Sequence, residues 1–442
     1  MNRSTKWNAA WIVLILAVLA LVATFAFAGC GSGNATTTTA ASTQTTVTPT
    51  TTAPPSTGSS DTTAATTATT VAAGPATGTP YKVAVLSNIS GDLAFLGKFI
   101  TESAQMEVDN LNANGGVDGH PIQLVIEDDG NDPTKAAAAF TKLADDPSVL
   151  AITGTCMTPL LPGLQALAEQ KQIPYIAACP ELPELRAQNP KWTFAIGADE
   201  FVNAAAMFDI VKAKGYKSII CISENDALSI AIDNEFIKDA TAAGLKAVLL
   251  ADTVDLGAVD VTPQVNKLKA LVDKQGADCI VSTVWPNYTG TFRKTMTAAG
   301  LDLPMVSYSV TADPSTLGMG GPELNGLMVP GPKVQAVSWL PDSDPQKKAV
   351  TDFVARYEAK FKTLPGQVAV SAGDLVVWLA DALKTSGADR TKLRDALASV
   401  RNLVGPFSIR TLGAPGDNSG AQPGVFTPMV IDNMKFVELK LK

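Results

Sequence analysis

Residues 81–126 read YKVAVLSNISGDLAFLGKFITESAQMEVDNLNANGGVDGHPIQLVI. The apolar run at 83–86 predicts a buried strand, and a second run at 122–126 predicts another. Between them, apolar residues recur at three- and four-residue steps, which is typical of a helix with one apolar face: Leu96, Phe99, Ile100, Ala104, Val108 and Leu111. Gly115 and Gly116 end this helix, because glycine tolerates the left-handed turn that follows a helix. The stretch is therefore a strand–helix–strand unit.

The same alternation continues through the chain in two blocks. In the second block, which begins near residue 200, strands are predicted at 218–222, 247–250, 279–284 and 304–307, with helices between them. Alternation of this kind predicts mostly parallel sheets with helices on both faces. Two blocks predict an α/β protein with two doubly wound lobes. In such sheets ligands bind beyond the C-terminal ends of the strands, so site residues are expected in those loops.

The N-terminus has the features of a secretory signal over residues 1–29. Arg3 and Lys6 precede an uncharged apolar run, which ends at Ala28-Gly29-Cys30. The cysteine after two small residues resembles a bacterial lipobox, which implies lipidation at Cys30 and attachment to the outer face of the cell membrane. The alternative is an uncleaved membrane anchor, since the run is nearly long enough to span a bilayer. Both interpretations place the body of the chain outside the cytoplasm.

Residues 30–80 are predicted to be a disordered tether. From residue 34 they are dominated by Thr, Ala, Ser, Gly and Pro, and Asp61 is the single charge. Such a segment lacks the large apolar side chains that offset the loss of chain entropy on folding. We expect it to provide reach and to contribute nothing to the folded body.

Charge and composition exclude several classes of function. The formal charge is −8, and it becomes −10 when the signal with its two positive residues is removed. An acidic chain without basic clusters disfavours nucleic-acid binding. His120, the single histidine, precedes Pro121 in a predicted turn, and one histidine excludes HExxH zinc sites and most histidine-based triads. We therefore expect no enzyme activity, no metal and no cofactor.

Four cysteines remain besides Cys30, and their spacing matches no zinc pattern. Cys221 and Cys279 lie in apolar runs and are predicted to be buried in strands. Cys156 and Cys179 each follow a predicted strand. They are either free thiols or a disulfide, since spacing alone does not establish disulfide geometry.

Ten short motifs follow one another along residues 81–442. They are KVAVL at 82–86, SG at 90–91, LG at 96–97, NANGGVDGHPI at 112–122, DD at 128–129, DP at 132–133, ITG at 152–154, IP at 173–174, AAGL at 298–301 and GLMV at 326–329. In this order and spacing they resemble type I periplasmic binding proteins, and above all the leucine/isoleucine/valine-binding family. The resemblance implies two lobes joined by three crossovers near residues 198, 331 and 404. Lobe I then comprises 81–198 plus 331–404, and lobe II comprises 199–330 plus 405–442.

The resemblance also implies a ligand site between the lobes. Aligning from Gly154 places Thr158 where the family has a hydroxyl that holds the ligand carboxylate. A helix N-cap is the alternative role for this residue. Cys179 and Glu181 fall on the family's second ligand loop, where Glu181 replaces a threonine. In the neighbourhood of a ligand carboxylate, an unpaired Glu181 would be repulsive.

In lobe II, Trp285 falls where the family has an aromatic pocket residue, and core packing is its alternative role. Ser309 falls where the family has the glutamate that binds the ligand ammonium group. Two pocket tyrosines of the family become Leu96 and Leu228 here, with Phe95 and Asp226 beside them.

The implied function is the substrate-binding component of an ABC importer, which captures an amino acid or a related amide or amine and docks on a membrane permease. The alternative is a sensory module that signals to a membrane receptor. Neighbouring permease and ATPase genes would favour transport, and a neighbouring receptor kinase would favour sensing.

Overall fold

The structure is a computed structural model, and it describes residues 74–91, 94–180, 182–255, 258, 260–413, 418–422 and 424–441. The predictions for the signal sequence, for Cys30, for the tether up to residue 73 and for Glu181 lie outside the described residues.

The first sheet contains five parallel strands in the order β2-β1-β3-β4-β5. Its strands are β1 (Tyr81–Ser87), β2 (Ile122–Asp128), β3 (Val149–Gly154), β4 (Tyr175–Ala177) and β5 (Thr193–Ala195). The connecting helices are α1 (Ala94–Ala113), α2 (Pro133–Asp145), α3 (Leu161–Lys171) and the short α4 (Pro183–Arg186). Val83 and Val85 belong to the core on one face, whereas Ala84 and Leu86 belong to the core on the other. Burial on both faces explains why the strand is apolar throughout.

The second sheet contains seven strands in the order β14-β13-β10-β9-β8-β6-β7. Its parallel strands are β6 (Ser218–Ser223), β7 (Lys246–Leu249), β8 (Cys279–Thr283), β9 (Met305–Ser307) and β10 (Met328–Pro332). The helices along this part are α5 (Glu200–Lys214), α6 (Ala227–Ala242), α7 (Thr262–Gln275), α8 (Pro286–Ala298) and α9 (Pro314–Gly320). Two antiparallel strands, β13 (Phe426–Asp432) and β14 (Lys435–Glu438), complete one edge.

The chain passes between the sheets more than once. After β10 it forms α10 (Lys347–Phe361), α11 (Gln367–Ser386) and α12 (Arg390–Ala398), and α11 packs on α1 of the first sheet. The Ser103 hydroxyl donates to the Ala369 carbonyl across this contact, at 2.6 Å. The hairpin of β11 (Leu403–Val404) and β12 (Ile409–Arg410) precedes the return to β13. The predicted α/β fold class, with two doubly wound lobes, is confirmed.

The lobe boundaries stay predictions at the level of single residues. The hairpin of β11 and β12 contains the third boundary, which is predicted near residue 404. Arg410 lies six residues beyond the boundary expected at 404. Its guanidinium nevertheless donates to the carbonyls of Ala195 and Ile196, at 3.5 and 3.3 Å, at the end of the first sheet.

A buried ion pair fastens this hairpin to α11. Arg410 and Asp374 are 1% and 3% exposed, and Nη2 of Arg410 lies 3.0 Å from Oδ2 of Asp374. The Asp374 carboxylate also accepts from the Ser408 hydroxyl at 2.9 Å and from the backbone N–H of Phe407 at 3.2 Å. The guanidinium stacks over the Trp378 ring, 4.5 Å from its centroid. The pair therefore joins α11, the hairpin and the first crossover.

The folded body begins before residue 81. The backbone N–H of Ala76 donates to the Asn112 carbonyl at 2.9 Å, and that of Gly78 donates to the Gly119 carbonyl at 2.8 Å. Nδ1 of His120 lies 2.9 Å from the Thr79 carbonyl oxygen. Residues 74–80 were expected to belong to the tether, but these hydrogen bonds place them on the turn after α1.

Candidate functional site

One side chain of the second lobe packs on the apolar cores of both lobes. Leu228, at the start of α6, packs against the core of its own lobe and against the core formed by β1, β3, α2 and α3 of the other lobe. That second core also contains Met157, Leu160 and Cys179, which follow β3 and β4.

The loop after β3 is held in an unusual backbone conformation. Gly154 has φ of 112° and Thr155 has φ of 35°. A Cβ atom on Gly154 would lie 2.2 Å from the Leu86 carbonyl oxygen, which already accepts from the Thr155 N–H at 2.7 Å. This tight passage directs the chain from β3 into a short turn that begins at Thr158.

Thr158 is half-buried, and its hydroxyl makes no hydrogen bond with any described residue. Met157, rather than Thr158, occupies the cap position of the turn, without a side-chain cap. No hydrogen bond among the described residues therefore supports the alternative role of Thr158 as an N-cap. Its hydroxyl can form a hydrogen bond with a ligand.

Cys156 and Cys179 follow β3 and β4, and both are free thiols. Burial raises the pKa of Cys156 to about 12 and that of Cys179 well above its usual value. Both sulfurs are therefore protonated at neutral pH, and a protonated thiol is a poor nucleophile. Phe95 lies at the start of α1, beyond the end of β1, is 48% exposed and packs edge-on against Phe99 at 6.1 Å between centroids.

The loop after β6 contains Glu224, a carboxylate that is not among the site residues predicted from the sequence. Glu224 is 0% exposed, and its Oε2 accepts from the backbone N–H of Trp285 at 3.3 Å. Its Oε1 is buried and has no hydrogen-bond partner among the described residues. Burial raises the pKa of Glu224 to about 7, and the nearby charges of Asp226 and Asp255 act in the same direction.

Asp226 and Trp285 both lie at helix N-termini. Oδ1 of Asp226 accepts from the Ser229 N–H at 2.9 Å and caps α6, while its Oδ2 is buried without a partner among the described residues. Trp285 precedes α8, is half-buried, and its carbonyl accepts from the N–H of Thr289 at 3.2 Å. The structure thus places Glu224, Asp226 and Trp285 on neighbouring strand-end loops of the second sheet.

A buried polar network lies behind these loops. Oδ2 of Asp233 accepts from the hydroxyls of Ser223, at 2.5 Å, and Thr283, at 2.8 Å. Burial raises the pKa of Asp233 to about 7 although both hydrogen bonds oppose this shift. Burial also raises the pKa of Tyr308, and the carboxyl groups of Asp226, Glu224 and Asp233 add to the effect. The hydroxyl of Tyr308 therefore stays protonated and faces an acidic region.

Ser309 is buried, and its surroundings differ from those of Trp285. Its hydroxyl donates to Oδ1 of Asn203 at 2.6 Å, and Nδ2 of Asn203 donates to the Ala198 carbonyl at 3.0 Å. The hydroxyl of Ser309 therefore donates to Asn203, which is itself hydrogen-bonded to the first crossover.

One signal for Glu224 was present in the sequence. Glu224-Asn225-Asp226 directly follows β6, in which every residue is apolar or small, so two carboxylates fall at a strand end. What the sequence did not indicate is that Glu224 is covered completely.

Within the described residues, no group of three His, Cys, Asp or Glu side chains is arranged to hold a metal ion. Over the same residues, none of the helices combines the length and the apolar character that crossing a membrane requires.

Comparison with known proteins identifies the family. The model of a family described as periplasmic binding protein matches residues 80–431. The chain is 26% identical to the Leu/Ile/Val-binding protein of Escherichia coli K12 over 353 residues, which cover 78% of this chain and 90% of that protein. It is 24% identical to the leucine-, isoleucine-, valine-, threonine- and alanine-binding protein of Pseudomonas aeruginosa over 318 residues, which cover 72% and 81%.

Solved structures agree on the fold. An extracellular ligand-binding receptor from Rhodopseudomonas palustris matches with a TM-score of 0.71 at 20% identity, covering 82% of this chain and all of that one. A leucine-binding protein from Thermotoga maritima matches with a TM-score of 0.68 at 22% identity, covering 80% and 97%. The resemblance inferred from the motifs is confirmed. Because the family match runs through both sheets and the strand-end loops between them, the chain belongs to the periplasmic binding protein family.

Proposed function

We propose that this protein is the extracytoplasmic substrate-binding component of an ABC importer and captures a small amino acid, of the branched-chain kind, between its two lobes. One observation supports the proposal: Leu228, beside the loop that contains Glu224 and Asp226, packs on the apolar core of the other lobe, and one carboxylate oxygen of each of these acids has no partner among the described residues. Relatives that share the family are named for binding leucine, isoleucine and valine.

In the proposed site, one lobe binds the ligand carboxylate and the other supplies an apolar wall. Thr158 and the backbone beside Cys179 hold the carboxylate, and Trp285 supplies an apolar wall, with Phe95 at the rim. Glu181, Asp226 and Ser309 complete the set that the resemblance implies. A Trp side chain is large and rigid, so it offers much contact area at a small cost in side-chain entropy.

We propose binding without chemical turnover. The two thiols nearest the site are protonated, and the only histidine contacts Thr79, away from the strand-end loops. The proposed partners are the solute, an ABC permease and the membrane. Co-purification of the loaded protein with its permease tests the partnership.

A binding screen tests the proposed ligand class. Leucine, isoleucine and valine are expected to raise the melting temperature of the purified protein, because a ligand that binds only the native state stabilises it. Glucose and acetate serve as unrelated controls. If all three amino acids leave the melting temperature unchanged at millimolar concentration, the proposed ligand class is wrong.

The pocket residues are tested by two substitutions on opposite lobes. Trp285→Ala and Thr158→Ala are each expected to weaken binding of the solute found in the screen at least tenfold. The first removes a large apolar contact, and the second removes a hydrogen bond to a charged group. Isothermal titration calorimetry measures both, with the exposed Thr297→Ala on α8 as the control.

The melting temperature without solute is expected to stay close to that of the wild type in both variants. Wild-type affinity in both variants would contradict the proposed site.

We also propose that Cys30 carries the lipid that holds the protein at the outer face of the membrane. Cys30→Ser is expected to abolish incorporation of a fatty-acid analogue during metabolic labelling, because the thiol is the acceptor. Cys221→Ser, at a buried strand cysteine, is the control and should keep the label. Equal labelling of wild type and Cys30→Ser would contradict lipid attachment at this residue.

A further inference from the structure

Glu224 is a buried carboxylate that lacks a counter-charge. One of its oxygens accepts a single backbone N–H, from Trp285, and the other has no partner among the described residues. Among those residues, no lysine or arginine forms an ion pair with Glu224, Asp226 or Asp233. A buried ionised carboxylate is costly unless it is paired, so a cation or a strong donor beside Glu224 would stabilise its ionised form.

The two charged side chains that raise the pKa of Glu224 are carboxylates. Asp226 lies on the same loop and caps α6, and Asp255 lies on the segment after β7. Asp233 on α6 and Tyr308 after β9 face the same region. Such a cluster repels anions and attracts a positive group. A cation that entered it would relieve the repulsion between the carboxylates.

The position of Glu224 links this cluster to the proposed pocket. Glu224 directly follows the C-terminal end of β6, and Trp285, which donates to it, directly precedes α8. The carboxylate therefore lies between two of the loops that form the lobe II wall. Ser309 cannot supply a negative charge, and its proton is committed to Asn203.

We infer that Glu224, with Asp226 beside it, binds the amino group of the solute and makes the site selective for solutes with a primary amine. This inference rests on the proposed function, and it names the chemical class that the lobe II half of the site selects. The role that the family gives to the residue at position 309 is thus taken by a carboxylate on the loop after β6.

Binding of the amino acid should then weaken as the pH falls. The ionised form of Glu224 pairs with the ammonium group, so protonation of Glu224 competes with binding. With a pKa of about 7 in the free protein, the ionised fraction falls about tenfold between pH 8 and pH 6. The Kd for an amino acid should therefore rise about tenfold over this interval, as long as the amine stays protonated.

The experiment compares amino acids with their 2-oxo acids, which keep the side chain and the carboxylate but lack the amine. Calorimetry on the purified full chain uses leucine, isoleucine and valine and the three matching 2-oxo acids, at pH 6, 7 and 8. The wild type should bind the amino acids about a hundredfold more tightly than the oxo acids. Glu224→Gln should lose most of this preference and the pH dependence together. Glu438→Gln, the same change at an exposed residue of edge strand β14, should keep both.

The wild-type comparison does not depend on how well the variant folds. If the wild type binds oxo acids as tightly as amino acids, the inference is wrong while the proposed capture of amino acids stands. If Glu224→Gln keeps the amine preference and the pH dependence, Glu224 is not the counter-charge, and Asp233 becomes the source of the titration near pH 7. If the wild type binds none of the six compounds, the proposed function fails and the inference fails with it.

Discussion

Asp374→Ala is expected to lower the free energy of unfolding by about 3–5 kcal/mol, which is the range for removing one partner of a buried ion pair. The guanidinium of Arg410 would be left buried without an opposite charge, and a buried charge that loses its counter-charge is strongly unfavourable. The N–H groups of Phe407 and Ser408 and the hydroxyl of Ser408 would lose their acceptor at the same time.

Urea denaturation followed by circular dichroism measures this loss. The control is Asp381→Ala on the same helix, where the carboxylate pairs with Lys384 at the surface. Exposed pairs contribute about 0–1 kcal/mol, so this variant should unfold near the wild-type midpoint. Equal stabilities of the two variants would show that the buried pair does not hold the hairpin to α11.

Gly154→Ala is the second change with a large expected effect, about 3 kcal/mol or more of lost stability. At φ of 112° an alanine is strained, and its Cβ would lie 2.2 Å from the Leu86 carbonyl oxygen. That oxygen belongs to the neighbouring strand, so relief requires β1 and β3 to separate where the loop to Thr158 begins. We therefore expect solute binding to be lost as well.

Gly163→Ala is the matched control for this prediction. Gly163 lies inside α3 at an exposed position, and a Cβ there would meet nothing within 4 Å. Alanine favours helix over glycine by about 0.5–1 kcal/mol, so this variant should be slightly more stable than the wild type. Denaturation curves for the two variants should shift in opposite directions. A wild-type midpoint for Gly154→Ala would contradict the steric argument.

The sequence predicted β1, β6 and β8 well because these strands are almost completely buried and therefore largely apolar. The run at 83–86 lies within β1, and the runs at 218–222 and 279–284 differ from β6 and β8 by one residue. The antiparallel edge was not predicted. Most residues of β13 and β14 are half-buried or exposed, so neither strand has the continuous apolar run by which the others were found.

The site was less predictable because it depends on contacts between distant segments. Thr158 and Trp285 are candidates through their spacing from Gly154 and Gly300, and their roles stay predictions. Glu224 could not be recognised as buried, since its cover comes from segments after β7 and β8 that are far away in the sequence. Asp374 and Arg410 are 36 residues apart, and nothing in the local sequence of either shows that they form a pair.

The contact of Leu228 with both cores has a consequence for the proposed capture of solute. If the proposed closure of the lobes forms this apolar contact, the contact lowers the free energy of the closed conformation whether or not solute is present. A larger fraction of empty molecules would then have the binding-competent conformation, which tightens binding. The same contact would reduce the difference in population between empty and loaded molecules. Under this proposal, a larger apolar residue at position 228 raises affinity and lowers the ability of a partner to distinguish loaded from empty molecules.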